Sequence, residues 1–160
     1  MPEQSSSPAI ELGITPAEIA SLILLGHSLY EQGKLIESRM IFEGIVLLQP
    51  ENPYSFAILG GIHQQQHEYE LAIECYTKVL LANSRDTYTL MNRGECYLNL
   101  GHLQEAAHDL KAAIELDPQR TDRASNRARF LSKVTLEALK LAQEKGIDAV
   151  RTATREVLTK

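Results

Sequence analysis

Small and apolar residues recur along this chain at three- and four-residue steps. Leu35, Ser38, Phe42, Ile45 and Leu48 make one run, Tyr69, Ala72, Tyr76, Val79 and Ala82 a second, and Leu103, Ala106, Leu110, Ala113 and Leu116 a third. Each run is a stripe on one face of an α-helix. The runs superpose at a step of 34 residues, which also carries Gly26 onto Gly60 and Gly94. Ahead of each run the same step aligns a second pattern: Leu22, Leu25 and Gly26, then Phe56, Leu59 and Gly60, then Leu90, Arg93 and Gly94, with Leu29, His63 and Tyr97 three residues further on. Pro50, Ser84 and Pro118 fall at one position near the end of each unit, where proline, lacking an N–H, stops a helix. The chain therefore predicts an all-α protein built from helix hairpins over 19–52, 53–86 and 87–120. An isolated hairpin of this kind leaves an apolar face uncovered, so the hairpins must stack.

These positions resemble the tetratricopeptide repeat, and the resemblance implies a solenoid of three hairpins. The small eighth and twentieth residues let the two helices of a unit approach closely, which must offset the roughly 1 kcal/mol that an interior glycine costs against alanine. Arg93 in place of leucine, Ser84 in place of proline and the lack of tryptophan depart from the pattern. The three repeats occupy 15–120, because Thr15, Pro16 and Glu18 form a helix-start signal with Ile14 placed to pack on Ile19. Residues 1–14 read as a flexible lead. Residues 121–160 read as a capping helix with the stripe Leu131, Val134, Ala138 and Leu141, ended by Gly146, and a short terminal helix over 148–158.

Charge divides the chain. Residues 1–119 carry 6 Lys/Arg against 16 Asp/Glu, net −10, while residues 120–160 carry 10 against 5, net +5, together the −5 of the whole. The basic residues Arg120, Arg123, Arg127, Arg129 and Lys133 lack the interleaved aromatics that stack on bases, and an acidic solenoid repels phosphate, so no nucleic-acid partner is expected. The longest apolar run, Leu22 to Leu25, is far short of the roughly 20 residues of a membrane span. The amino terminus lacks the basic and apolar regions of a secretory signal, which points to the cytoplasm. Cys75 and Cys96 read as unpaired, buried thiols.

Catalysis is not expected. His63 and His67 stand four apart, but Gln64 holds the place where a zincin needs glutamate, so no metal is expected. Gly60 and Gly61 lie inside a helix rather than in a phosphate loop, and no nucleophile elbow appears. No cofactor is implied.

Function then falls to the inner face of the stack. The second, fifth, ninth and twelfth positions of the first helices line it: Ala20, Ile23, His27 and Tyr30; Tyr54, Ala57, Gly61 and Gln64; Tyr88, Met91, Glu95 and Leu98. These positions carry little charge, and their tyrosines offer stiff contact area, so they predict a groove for an apolar peptide, with Gly61 leaving a notch for the ligand.

The stretches LYEQGKLIESRMIFEGIVLLQPENPYSFAILGGIHQQQHEYELAIECY and RGECYLNLGHLQEAAHDL, followed by TLEALKLAQ, resemble the class II type III secretion chaperones of Gram-negative bacteria over about residues 19–143. The resemblance implies a small acidic cytoplasmic chaperone holding hydrophobic translocator subunits before secretion. An extended segment of the form Pro-x-Leu-x-x-Pro would lie in the groove. The pocket aromatics of that family's first unit fall on Ile23, His27 and Tyr30, two of them changed. The family's additional amino-terminal helix, which contributes to homodimers, has only about fourteen residues in which to fit here, so a homodimer stays open. A needle-subunit chaperone and a general peptide-binding scaffold use the same groove and stay open too. A carboxylate-clamping adaptor does not fit, since Ile23, Tyr88 and Asn92 stand where its basic residues would.

Overall fold

The computed structural model describes residues 7–146. Helix α1 (Pro8–Glu11) leads into three hairpins, α2 (Pro16–Glu31) with α3 (Leu35–Leu48), α4 (Pro53–Gln65) with α5 (Tyr69–Ala82), and α6 (Thr87–Leu100) with α7 (Leu103–Glu115); α8 (Arg123–Lys145) follows. Part of the expected flexible lead is thus a helical turn, with Ala9 only 2% exposed beside Ile19, Phe42 and Ile45. The helix expected over 148–158 lies outside the described residues. From α2 to α8 consecutive elements pack on one another, as a solenoid requires; α1 packs on α3, and α8 packs on both α6 and α7.

The first helix of each hairpin opens on a side-chain cap. Thr15 and Glu18 close a capping box, Asn52 accepts from the Ser55 N–H at 3.2 Å, and Asp86 accepts from the Thr89 N–H at 2.7 Å. Asp122 caps α8 in the same way. Within each hairpin the turn is one motif used three times. The amide of Lys34, Glu68 or His102 donates to the carbonyl of Leu29, His63 or Tyr97, and the residue before it lies in the left-handed region. That residue is Gly33 (φ 73°), His67 (φ 61°) or Gly101 (φ 79°), so His67 stands where the other two turns use glycine.

The glycines at the eighth position face the aromatic or large residue on the partner helix. A Cβ on Gly60 would lie 2.6 Å from Tyr76, one on Gly26 2.8 Å from Phe42, and one on Gly94 2.9 Å from Leu110. The largest apolar cluster joins the third hairpin to α8, through Leu90, Leu98, Leu103 and Leu110 with Ala124, Ala128 and Leu131. Arg93, the departure from leucine, donates twice to the buried Asp109, at 2.7 and 2.9 Å, and once to Thr77 on α5 at 3.0 Å. Polar pairing thus ties the second and third units together where an apolar contact was expected.

Candidate functional site

The groove positions divide by hairpin. On α2, Ala20 is exposed and Ile23, His27 and Tyr30 are half-buried; on α4, Tyr54 is exposed and Ala57, Gly61 and Gln64 are half-buried. On α6, Tyr88 is exposed and Glu95 half-buried, but Met91 and Leu98 are 6% and 1% exposed. Those two expected lining residues belong to the core. They pack in the cluster that includes Ala124, Ala128 and Leu131, because α8 stacks on α6 as a further first helix would and covers their side.

The first two units present a ring cluster. Tyr54 lies with its ring centroid 6.2 Å from His27 and 6.0 Å from Phe42. Burial first, and then the Glu31 carboxylate, raise the pKa of the Tyr54 phenol, so it remains a neutral hydroxyl at the edge of an apolar surface. The notch expected over Gly61 is occupied: a Cβ there would lie 2.7 Å from the Tyr30 hydroxyl, which accepts from Gln65 Nε2 at 2.8 Å. The space released by glycine is taken by the protein's own tyrosine.

Further along, the groove becomes polar. The buried Tyr76 donates its O–H to Gln64 Oε1 at 2.7 Å, and burial raises its pKa far enough to keep it a donor. Gln64 Nε2 points to Glu95 Oε2 at 3.5 Å, and Arg127 Nη2 reaches Glu95 Oε1 from α8 at 2.6 Å. Arg127, expected among five basic side chains of a solvated cap, is instead paired with Glu95 at one of the expected groove positions. Arg129 is also committed, donating to the Asp117 carbonyl at 2.7 Å. Nothing in the spacing of Glu95 and Arg127 marks them as partners; only the packing of α8 on α6 brings them together.

The candidate metal ligands diverge. His63 Nδ1 lies 2.6 Å from Glu68 Oε2, whereas His67 Nδ1 lies 2.8 Å from the Tyr69 hydroxyl. Among the described residues no group of three His, Cys, Asp or Glu side chains could hold a metal ion. Cys75 and Cys96 are free thiols, and burial pushes them up to about 11 and about 12, so neither is an activated nucleophile. An open depression of about 390 Å³ beside Arg93, Tyr97, Glu105 and His108 has its arginine already paired with Asp109.

Helix hairpins repeated at this step have the tetratricopeptide-repeat fold, and a family model of that description, Tetratricopeptide repeat, matches residues 59–130. Along most of its length the chain is similar to type III secretion translocator chaperones. Low calcium response locus protein H of Yersinia pestis is 28% identical over 131 residues, which are 82% of this chain and 77% of that protein. The Yersinia enterocolitica type III secretion chaperone SycD, solved in complex with a peptide of the translocator YopD, superposes with a TM-score of 0.68 at 25% identity, over 81% of this chain and 98% of that one. A type III secretion complex from Aeromonas hydrophila shares the fold, with a TM-score of 0.79 at 22% identity over 87% of this chain and 94% of that one.

Proposed function

We propose that this protein is a cytoplasmic type III secretion chaperone whose concave groove holds an extended, apolar segment of a hydrophobic translocator before export. The observation that carries the reading is the likeness to SycD, solved with a translocator peptide, which extends over 98% of that chain. The groove supports it. Ala20, Ile23, Tyr54 and Ala57 offer apolar surface on adjacent first helices, while an overall charge of −5 keeps the loaded chaperone soluble. The protein acts by binding and catalyses no reaction. Self-association belongs to the same reading, since the first unit leaves Leu24, Leu25, Ile36 and Met40 between 52% and 72% exposed.

The test is a titration of a YopD peptide against wild type and folded Tyr30→Ala, Tyr54→Ala and Tyr88→Ala variants. Truncating Tyr54 should cost about 2 kcal/mol, or roughly thirtyfold in affinity, as expected for an aromatic anchor. Binding should also persist at high salt, because apolar contacts are not screened. Equal affinity in all four proteins would place the binding surface elsewhere.

A further inference from the structure

The groove's two halves differ in chemistry, and the polar half has a donor and an acceptor side by side. Gln64 is fixed from below by the Tyr76 hydroxyl, whose ring is 2% exposed, and it turns its amide toward Glu95 Oε2 across a long 3.5 Å. Glu95 Oε1 takes one N–H of Arg127, whose guanidinium also lies 5.3 Å from the ring centroid of Phe130. A guanidinium carries five N–H donors, and the Arg127 side chain is 43% exposed, so donors remain beside the pair. A carboxylate oxygen has two lone pairs, and a contact of 3.5 Å leaves Glu95 Oε2 with acceptor capacity through the 16% of the side chain that is exposed.

The charges of Glu95 and Arg127 cancel, so the pair attracts neither a cationic nor an anionic side chain strongly. What it matches is a neutral N–H beside a neutral C=O. An extended residue presents both on one side, as it does to a neighbouring antiparallel strand. Among the expected lining positions the first two units offer Ile23, Tyr54 and Ala57, whereas on the third α8 has covered Met91 and Leu98 and leaves Tyr88 exposed. Side chains of a bound segment therefore find fewer apolar anchors on the third unit, with Tyr88 and Phe130 flanking the polar pair.

We propose that Glu95 and Arg127 are a main-chain clamp, in which Glu95 Oε2 accepts the N–H and Arg127 donates to the C=O of one extended client residue as it passes the third unit. The inference rests on the peptide-binding reading above and adds to it a division of labour. The first two units select side chains, and the third holds the backbone whatever side chain it carries.

The probe is the YopD peptide, prepared with one amide at a time replaced by an ester, which removes the N–H and leaves the side chains unchanged. Against wild type, one position should lose about tenfold in affinity, the effect of a charge-assisted hydrogen bond. Glu95→Ala should bind the unmodified peptide about tenfold more weakly and lose its discrimination against that ester; Arg127→Met should weaken binding to a similar extent. The double variant, with helicity checked by circular dichroism, should lose much less than about tenfold further, because both groups hold the same residue and their losses do not add. If Tyr54→Ala weakens binding while the ester scan is flat and Glu95→Ala binds like wild type, the clamp is wrong and the groove stands. If the loss in Glu95→Ala disappears when a basic client side chain is replaced by alanine, the pair reads charge and the clamp is overturned. If wild type binds no YopD peptide, or Tyr54→Ala is also without effect, the peptide-binding reading fails and the clamp fails with it.

Discussion

Two interior helical glycines should respond to the same substitution with opposite signs. Gly60→Ala places a Cβ 2.6 Å from Tyr76 Cε1, 2.8 Å from Cδ1 and 3.1 Å from Cζ. The ring cannot slide away at low cost, since Tyr76 is 2% exposed and its hydroxyl is held by Gln64 at 2.7 Å. Overpacking of this kind costs typically 1–3 kcal/mol, and three ring carbons inside contact distance put it near the upper end, at about 3 kcal/mol. Alanine returns about 1 kcal/mol of helix propensity, which leaves a net destabilisation of about 2 kcal/mol. Gly44→Ala on α3 meets no atom within 4 Å, so only the propensity gain remains, about 1 kcal/mol of stabilisation. For a chain of this size the pair should bracket wild type, Gly60→Ala melting about 4–8 °C lower and Gly44→Ala about 2–4 °C higher. Thermal unfolding followed by circular dichroism at 222 nm reads both. A Gly60→Ala protein as stable as Gly44→Ala would refute the argument that glycine is present for the approach of Tyr76. The first variant should also weaken peptide binding, because Tyr76 positions the Gln64 amide beneath the groove.

His67→Gly should stabilise the protein by up to about 1 kcal/mol, since the left-handed conformation costs roughly 1–2 kcal/mol for a residue with a Cβ and the lost contact to Tyr69 is exposed; chemical denaturation would check it. Arg93→Ala should cost about 3 kcal/mol by leaving the buried Asp109 with only the exposed His108 imidazole at 3.3 Å, whereas Arg93→Leu with Asp109→Leu should recover most of that in the same assay. Asp117 accepts from the Ser125 hydroxyl, from the Asp122 N–H, and from the Thr121 N–H and hydroxyl, which holds its pKa below the ordinary 3.8. A depressed carboxyl adds stability that is complete above the unfolded value and is lost as pH falls below about 4, through the folded value. The stability difference between wild type and Asp117→Asn should therefore shrink as denaturation is repeated from pH 6 down to pH 2; a constant difference would count against it.

How far the sequence could be read follows from the range over which each feature is determined. The hairpins were legible because a 34-residue step repeats local choices, above all the glycines facing Phe42, Tyr76 and Leu110, and because Thr15 marks where the first helix opens; the caps Asn52 and Asp86 went unread. Position alone placed Ile23, His27 and Tyr54 correctly on helix faces with exposure. It failed for Met91 and Leu98, whose surroundings depend on a helix beyond the third repeat, and for Gly61, whose free space is filled by a side chain 31 positions earlier. Arg127 could not be read as the partner of Glu95, because the pairing spans 32 residues and arises only from the packing of α8 on α6.

The covered third hairpin and the uncovered first one make the two ends of the solenoid unequal in time as well as in space. The third hairpin is sealed by α8, whereas among the described residues the first is met on its outer side only by the single turn α1, and on α2 Leu24 and Leu25 remain 72% and 52% exposed. In a one-dimensional stack each unit is held by its neighbours, so opening begins where the neighbouring cover is least. Amide hydrogens of α2 and α3 should exchange well before those of α6 and α7, and a peptide seated on His27 and Tyr54 would bind the end that opens first. Client binding would then slow exchange there most, turning the frayed end of the free chaperone into the ordered end of the loaded one.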